Sequence, residues 1–361
     1  MPRTKVNQKS FEGQCFYIGI DDHLRNWLVS IFGELYEHKT MSRDRNPDQL
    51  ADYMNASFPG GTYKAVYEAG FSGFGTCRRL NELGIECMVL NAADVPTSQK
   101  ERLQKNDSVD ARKLARMLRG GELEGIHVPD TILEADRTLC RVRDTLVKDM
   151  TRNKSRVKSI LMQFGVEIPA RFSAVQTRSW SKVYMEWVLG LEELHPSIRQ
   201  TIAALVESGM ALKKNILNIT RQIRELAESD RYRDNCDRLI TIPGVGLVTA
   251  MNLLTQLGDI ERFKTLDELC HYIGIVPNTR SSGEKTATGK ITRRGRKKIK
   301  ILLIEASWVA VRKDPALMAK FNELSKRMNK NKAIIRIAKS LLNRIRHMLR
   351  HKTEYVTGVT G

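Results

Sequence analysis

Residues 105–116 read Lys105-Asn106-Asp107-Ser108-Val109-Asp110-Ala111-Arg112-Lys113-Leu114-Ala115-Arg116. Ala111, Leu114, Ala115 and Leu118 recur at helical spacing, which predicts a helix that opens near Asp107 and stops at Gly120-Gly121. Asp107 and Asp110, three apart, then lie one above the other on one helical face. Two readings of the pair are open. Asp107 is an N-cap and Asp110 a first-turn acid favoured by the helix dipole, or both belong to a carboxylate site completed from elsewhere. The second reading needs acids at places where the fold has no structural use for them.

The preceding residues supply such places. Residues 15–21 (CFYIGID) and 27–32 (WLVSIF) are short apolar runs joined by polar residues, the pattern of a hairpin. Residues 47–58 read as a helix with Leu50, Tyr53 and Met54 inward. Residues 62–68 (TYKAVYE) form a strand, 73–83 a helix closed by Gly84, and 86–90 a buried strand. With the helix at Asp107 the order is β-β-α-β-α-β-α, an α/β mixed sheet in three layers led by an antiparallel hairpin. Asp21 closes the first strand and Glu68 another. An acid at the end of an apolar strand stands where the sheet meets water, at the crevice where α/β sheets place their sites. Four converging carboxylates, Asp21, Glu68, Asp107 and Asp110, repel one another and suit divalent cations between them, Mg²⁺ or Mn²⁺. Two such ions clamp the attacking and leaving oxygens in phosphodiester chemistry. This order of elements, with acids at these places, is the ribonuclease-H-like pattern.

The middle of the chain has a different period. Leu139, Leu146, Asn153 and Ile160 repeat every seven residues, as do Met150, Val157 and Phe164. A second helix from about Pro196 puts Ile202, Ile216 and Ile223 on one heptad position and Leu205, Leu212, Ile219 and Leu226 on the other, with a gap at Gly209. Such helices pair within one chain or between chains, or lie inside a bundle. Asn153 is the kind of core polar residue that fixes register. The segment reads as a spacer or oligomerisation arm.

From Arg238 onward the chain reads as mostly helical. The run Ile242-Pro243-Gly244-Val245-Gly246 before an apolar helix has the helix-hairpin-helix pattern, in which the Gly turn offers backbone N–H groups to a phosphate. A tight turn between packed helices is the alternative. Then come a Ser/Gly/Thr-rich stretch at 278–289 and the basic cluster Arg293, Arg294, Arg296, Lys297 and Lys298. Between Arg280 and Lys352, 22 Lys and Arg stand against 4 Asp and Glu, a surplus of 18 out of the whole chain's +19. One end of the chain therefore carries almost all of its attraction for a polyanion.

Six scattered cysteines without a C-x-x-C pair fit a reduced compartment, with neither a disulfide framework nor a structural zinc site. There is no N-terminal apolar signal and no apolar run long enough for a bilayer, so a cytoplasmic protein without a membrane partner is expected. No nucleotide-binding P-loop is present.

Taken in order, Tyr17-Ile18-Gly19-Ile20-Asp21, Tyr67-Glu68-Ala69-Gly70 and residues 105–111 resemble the DEDD transposases of bacterial insertion sequences, also called bridge-RNA-guided recombinases. The C-terminal half agrees through residues 242–246, Tyr272-Ile273-Gly274-Ile275-Val276-Pro277, Ser281-Ser282-Gly283 and Gly289-Lys290-Ile291-Thr292. The resemblance covers about residues 15–310. It implies a RuvC-like metal-binding domain (1–128), a coiled-coil oligomerisation region (129–232) and a transposase domain (233–361) with the helix-hairpin-helix-like motif, a catalytic serine loop and a basic helical tail. It also implies that Asp21, Glu68, Asp107 and Asp110 bind metal and that Ser282, with Ser281 beside it, is the nucleophile. Asp22 and Leu24 depart from the family pattern, and Asp22 competes for a ligand assignment.

The expected activity is insertion and excision of an insertion sequence. Metals on the tetrad polarise a scissile phosphate, Ser282 attacks it, and a strand-end hydroxyl of the other DNA reverses the link. Arg293, Arg294 and Arg296 would neutralise developing charge. This composite site needs two domains, or two subunits, to close on each other. The expected partners are donor and target DNA, a structured non-coding guide RNA and further copies of the chain, as dimer or tetramer. The competing readings are a RuvC-like nuclease that uses water as nucleophile and a non-catalytic architectural nucleic-acid-binding protein.

Overall fold

The computed structural model describes residues 10–95, 107–173, 180–282, 285–292 and 294–358, and at 107–108, 173, 277–282 and 285–290 the description covers the backbone alone. The chain forms two compact units, Met1–Pro129 and Asp130–Gly361.

In the first unit β1 (Cys15–Asp22), β2 (Asn26–Phe32), β3 (Glu37–Asp44), β4 (Thr62–Glu68) and β5 (Ile85–Leu90) form one sheet in the order β3-β2-β1-β4-β5. The β1–β2 and β2–β3 pairs are antiparallel, and the β1–β4 and β4–β5 pairs are parallel. Helices α1 (Pro47–Ser57), α2 (Gly75–Glu82) and α3 (Asp107–Arg119) complete the ribonuclease-H-like arrangement that the sequence predicts. One strand, β3, is absent from the sequence reading. It reads EHKTMSRD, has no fully buried residue and lies at the sheet edge, where charged side chains discourage further pairing. It therefore shows no apolar alternation to read.

The pleat divides the strands between two cores. Phe16, Ile18 and Ile20 of β1, Tyr63, Ala65 and Tyr67 of β4, and Ile85, Cys87 and Val89 of β5 pack with Leu50 and Met54 of α1 and Cys77 and Leu80 of α2. The opposite face carries Val66 and Leu90, packed on Leu114 and Leu118 of α3. Gly19 and Ser30, directly paired across β1 and β2, leave a shallow patch on that face, and Ser30 is fully buried there. Helix α3 settles into it. A Cβ on Gly19 would strike the Ala111 carbonyl oxygen and the Ala115 amide, so glycine is required for helix and strand to approach this closely.

In the second unit, α4 (Thr131–Gln163) and α6 (Pro196–Ala227) are 33 and 32 residues long and pack against each other within the chain. The short α5 (Lys182–Leu189) and the Trp180 region close over one end, burying Met150, Val157, Leu161, Trp180, Tyr184 and Ile202 together. The heptad positions on α6 are displaced from the expected seam. Its buried stripe is Ile202, Val206, Gly209, Ile223 and Ala227, while Leu205, Leu212 and Ile216 are only half-buried. The reason is that α6 meets more than one partner, so its stripe is centred between them. Gly209, a gap in the heptad pattern, is a slot, because a Cβ there would run into the Trp180 indole. Asn153 is 2% exposed and its Oδ1 has no hydrogen-bond partner among the described residues.

The rest of this unit surrounds α8 (Leu247–Leu257), whose residues 250–257 are all buried. Helices α7 (Arg233–Ile240), α9 (Leu266–Ile273), α10 (Lys297–Lys313), α11 (Pro315–Arg327) and α12 (Lys330–His351) pack around it into one core. Helix α12 contributes Ile334, Ile337, Ala338, Leu341, Leu342, Ile345 and Leu349, an apolar stripe at helical spacing. Between α9 and α10 a two-stranded ladder, β6 (Pro277–Ser282) with β7 (Lys285–Ile291), replaces the loop expected from the Ser/Gly/Thr composition. Among the described residues no helix is long and apolar enough to cross a membrane.

Candidate active site

Asp21 lies on β1 and Glu68 ends β4, and the parallel register pairs Ile20 with Tyr67 immediately before them. Both strands therefore bring their acids to the same end of the sheet. The pleat brings them to the same face as well. Asp21 alternates with Gly19, and Glu68 with Val66, on the side that α3 covers. Ala111 meets Gly19, so Asp110, one residue earlier in α3, stands over the carboxyl end of β1. Asp21, Glu68 and Asp110 are all partly exposed. Asp107 begins α3, and its side chain lies outside the described residues. Among the described residues no group of three or more His, Cys, Asp and Glu is placed to hold a metal ion.

Side chains away from the acids fix this geometry. Arg112 Nε donates to Glu37 Oε1 (2.8 Å) and Thr40 Oγ1 (3.2 Å) on β3, which ties the first turns of α3 to the far edge of the sheet. Burial alone would raise the Glu37 carboxyl, but hydrogen bonds from Thr40 and Arg112 hold it below the usual range. Asp22 has a structural role. It points to the opposite face, accepts from the Trp27 indole at 2.9 Å and from Arg45 Nε at 2.7 Å, and its side chain is 6% exposed. Both Asp22 oxygens are engaged with Trp27 and Arg45, on the face of the sheet opposite to Asp21. His23, not singled out from the sequence, puts Nε2 3.1 Å from Asp21 Oδ2. Its place two residues after Asp21, just past the end of β1, is the signal that would have found it.

In the second unit Ser282 ends β6 and pairs with Lys285, and Ser281 pairs with Thr286. Their side chains lie outside the described residues. The base of the ladder is closely built. Thr292 N–H donates to Val276 O (3.0 Å) and Arg296 N–H to Ile273 O (3.1 Å). Gly274 and Gly295, both at positive φ, pack against each other's segments, and side chains there would meet Arg294 O and the Ile273 carbonyl. Lys300, only 8% exposed, donates its Nζ to Thr292 O (2.7 Å) and Arg294 O (3.3 Å), and burial pushes its ammonium down. Nothing in the sequence sets Lys300 apart, because it looks like one more cation in a basic run.

The other expected nucleic-acid contacts divide. Pro243, Gly244, Val245 and Gly246 join α7 to α8, with Gly246 as N-cap. Gly244 has φ +90° and no room for a Cβ against Ala306 and Val309 of α10, while Val245 is buried. Helix packing thus accounts for Gly244. Gly246 is open, since a Cβ there would meet no atom within 4 Å. Arg293 lies outside the described residues. Arg294 and Lys297 are exposed, Arg296 is half-buried, and Lys298 is ion-paired to Asp144 of α4 at 2.9 Å. Several cations of the tail also face inward. Arg346 donates to Lys264 O (2.6 Å), Arg350 pairs with Glu261 (3.1 Å), and Arg344 pairs with Asp314 (2.6 Å).

Comparison with known proteins agrees along both units. The DEDD-type IS110 family described as Transposase matches residues 18–166, and the family described as Transposase IS116/IS110/IS902 matches residues 236–323. The putative transposase y4qE of Sinorhizobium fredii is 31% identical over 291 residues, covering 81% of this chain and 68% of the relative. The transposase for insertion sequence element IS1533 of Leptospira borgpetersenii is 29% identical over 252 residues, 68% of this chain and 70% of that one. A probable family 20 transposase of Pseudomonas aeruginosa is 24% identical over 298 residues, 82% and 84% of the two chains.

Proposed function

The chain belongs to the IS110/IS902-type DEDD transposase family, and from that premise we propose that Ser282 is its nucleophile and that Asp21, Glu68, Asp107 and Asp110 hold Mg²⁺ or Mn²⁺. Family membership makes the protein an enzyme that cleaves and rejoins DNA. The finer reading rests on one observation above all: the shared face and shared end of β1 and β4, with the first turns of α3 drawn over them by Gly19. Three partly exposed carboxylates with hard oxygen donors, and a fourth on the same helix, suit a small divalent ion in their chemistry. Bound there, it would supply charge neutralisation at a phosphate oxygen.

The serine chemistry conserves bond energy. Attack of Ser282 Oγ on phosphorus forms a phosphoserine ester and releases one strand-end hydroxyl. Attack by a strand-end hydroxyl of the second DNA then forms the new phosphodiester and returns the serine. No nucleotide hydrolysis is required. Place at the end of a paired strand, rather than in a loose loop, suits a nucleophile that must be held at a fixed position. Exchange between donor and target DNA calls for more than one serine, so the working form is an oligomer. A structured non-coding RNA that pairs with both DNAs supplies the target choice in this reading, and the exposed cations offer it the same attraction they offer DNA.

The test uses full-length protein on a DNA substrate with a nick beside the cleavage site, so that the released strand diffuses away. The expected result is a protein–DNA adduct that survives denaturation, requires Mg²⁺ or Mn²⁺, and is lost in both Ser282→Ala and Asp21→Asn. Cleavage that persists in Ser282→Ala without an adduct would replace this reading with hydrolysis by water.

A further inference from the structure

Four arginines from three segments of the second unit converge on one tyrosine. Arg262 stacks its guanidinium over the Tyr272 ring at 4.5 Å and over Phe263 at 4.0 Å, and Arg296 stacks over Tyr272 at 5.0 Å. Arg137 and Arg141 arrive from successive turns of α4, donating to Thr255 O (2.9 Å) and Gln256 Oε1 (3.3 Å). The Tyr272 hydroxyl donates to Gln256 O at 2.7 Å, and Arg262 Nε to Leu257 O at 3.1 Å. Burial, together with the nearby charges of Arg296, Arg141 and Arg262, holds the Arg137 guanidinium below its ordinary range.

The bland account is that Arg137, Arg262 and Tyr272 cap the C-terminus of α8, whose last carbonyls they occupy, with Arg141 holding the Gln256 side chain. Charge decides against it as a complete account. A helix C-terminus offers roughly half a negative charge, against four guanidinium ions. Among the described residues none of the four makes an ion pair with a carboxylate; the charges of Glu134 and Asp259 raise Arg141 and Arg262 respectively, against the larger effect of burial. A surplus of about three and a half positive charges is left in a partly desolvated place, where uncompensated charge is costly. The cluster is also graded. Arg137 is 4% exposed at the floor, Arg262 and Arg296 are half-buried, and Arg141 is exposed at the rim. Arg262 Nη2 is buried with no hydrogen-bond partner among the described residues. A guanidinium held over an aromatic ring with a nitrogen left unpartnered, as Arg262 Nη2 is, retains donor capacity that phosphate oxygens can take up.

The cluster sits at the root of the ladder that carries Ser282. Tyr272 and Ile273 lead into β6 through Gly274, and the Arg296 amide closes the other side on Ile273 O. We propose that Arg137, Arg141, Arg262 and Arg296, around Tyr272, form a pocket for one backbone phosphate of the DNA strand presented to Ser282. The choice of DNA rests on the reading of Ser282 as the nucleophile; the choice of a phosphodiester rests on the pocket alone.

The test measures equilibrium binding rather than cleavage, on the full-length Ser282→Ala protein in EDTA, and reads only intact DNA, so its outcome does not require Ser282 to be the nucleophile. The probe is a fluorescently labelled duplex DNA of mixed sequence, titrated over a range of salt concentrations, with and without Arg141→Gln and, separately, Arg262→Gln. The expected result is binding weakened about tenfold or more, and a slope of log affinity against log salt reduced by about one, the loss of one phosphate contact. Melting without DNA is read alongside. Relief of repulsion among the arginines raises the midpoint of Arg141→Gln, whereas removal of a merely structural contact lowers it. Unchanged affinity and salt slope with a lowered midpoint would overturn the proposal. Weakened binding to a structured RNA of matched length, with DNA binding intact, would overturn the assignment to DNA. Failure of the serine reading shows itself elsewhere, as an absent adduct in the wild-type chain.

Discussion

Gly19→Ala is the sharpest perturbation of the acidic site that touches none of its carboxylates. The added methyl meets the Ala111 carbonyl oxygen and the Ala115 amide, both backbone, with the Ala115 methyl 3.1 Å away. A side chain could turn aside, but a helix backbone must move as a whole, by on the order of 1 Å to restore ordinary contact. Overpacking typically costs about 1–3 kcal/mol, and obstacles of this kind place Gly19→Ala near the upper end, about 3 kcal/mol. For a unit of this size that is a fall of about 10 °C in the melting midpoint. The movement also carries Asp110 away from Asp21, so DNA cleavage should fall severalfold at a temperature well below the midpoint. Gly75→Ala is the control, because a Cβ there meets nothing within 4 Å, and it should melt within about 2 °C of wild type, on the side of a small gain. Calorimetry gives the midpoints and a nicked-DNA assay the cleavage. A Gly19→Ala protein that melts like Gly75→Ala and cleaves DNA normally would refute the claim that this glycine seats α3 over the acids.

Adjacent aspartates should separate by phenotype. Asp21→Asn is expected to melt close to wild type and lose metal-dependent cleavage, whereas Asp22→Ala, which strands the Trp27 indole and Arg45, should lose about 1–3 kcal/mol in urea unfolding and keep cleavage while folded. Gly209→Val should expel the Trp180 indole from its slot, visible as a red shift and quenching of tryptophan fluorescence, with a loss of about 2–3 kcal/mol. Asp314 is fully buried and receives Arg344, the Tyr355 hydroxyl and the Ala316 and Leu317 amides. Burial alone would raise its carboxyl, but the Tyr355 and Arg344 hydrogen bonds hold it below the usual value. A depressed folded pKa gives stability that is complete above the unfolded value of about 4 and is lost as pH falls through the folded one. Unfolding of wild type followed from neutral pH to about pH 3 should show this acid-side loss, and Asp314→Asn should start less stable by about 2–4 kcal/mol and show less of it.

The parts of the fold that were legible in the sequence are those where burial writes a period. β1, β2, β4, β5 and α3 alternate or repeat because one face of each meets a core, and Asp21 and Glu68 stand out as charges closing apolar strands. β3 was not legible, since an edge strand of charged and polar residues has no such contrast. Gly209 reads as a break in a heptad because periodicity registers an absent side chain and not the indole that fills the space. Basic residues were the hardest to sort. Lys298, Lys300, Arg344 and Arg346 look alike in sequence to exposed cations, yet each is tied to Asp144, to main-chain carbonyls or to Asp314. Their roles depend on which way each side chain turns, which local composition does not encode. The arginines around Tyr272 come from positions 137–141, 262 and 296, too far apart in the chain for any motif to join them.

The most direct measurement of the central claim is the identity of the residue that carries DNA. The wild-type protein is reacted with a nicked DNA substrate in Mg²⁺, quenched by denaturation, digested with nuclease and protease, and the peptides sequenced by mass spectrometry. The account predicts a nucleotide remnant in phosphodiester linkage to Ser282. A remnant on another residue, or cleaved DNA with no modified peptide, would contradict it.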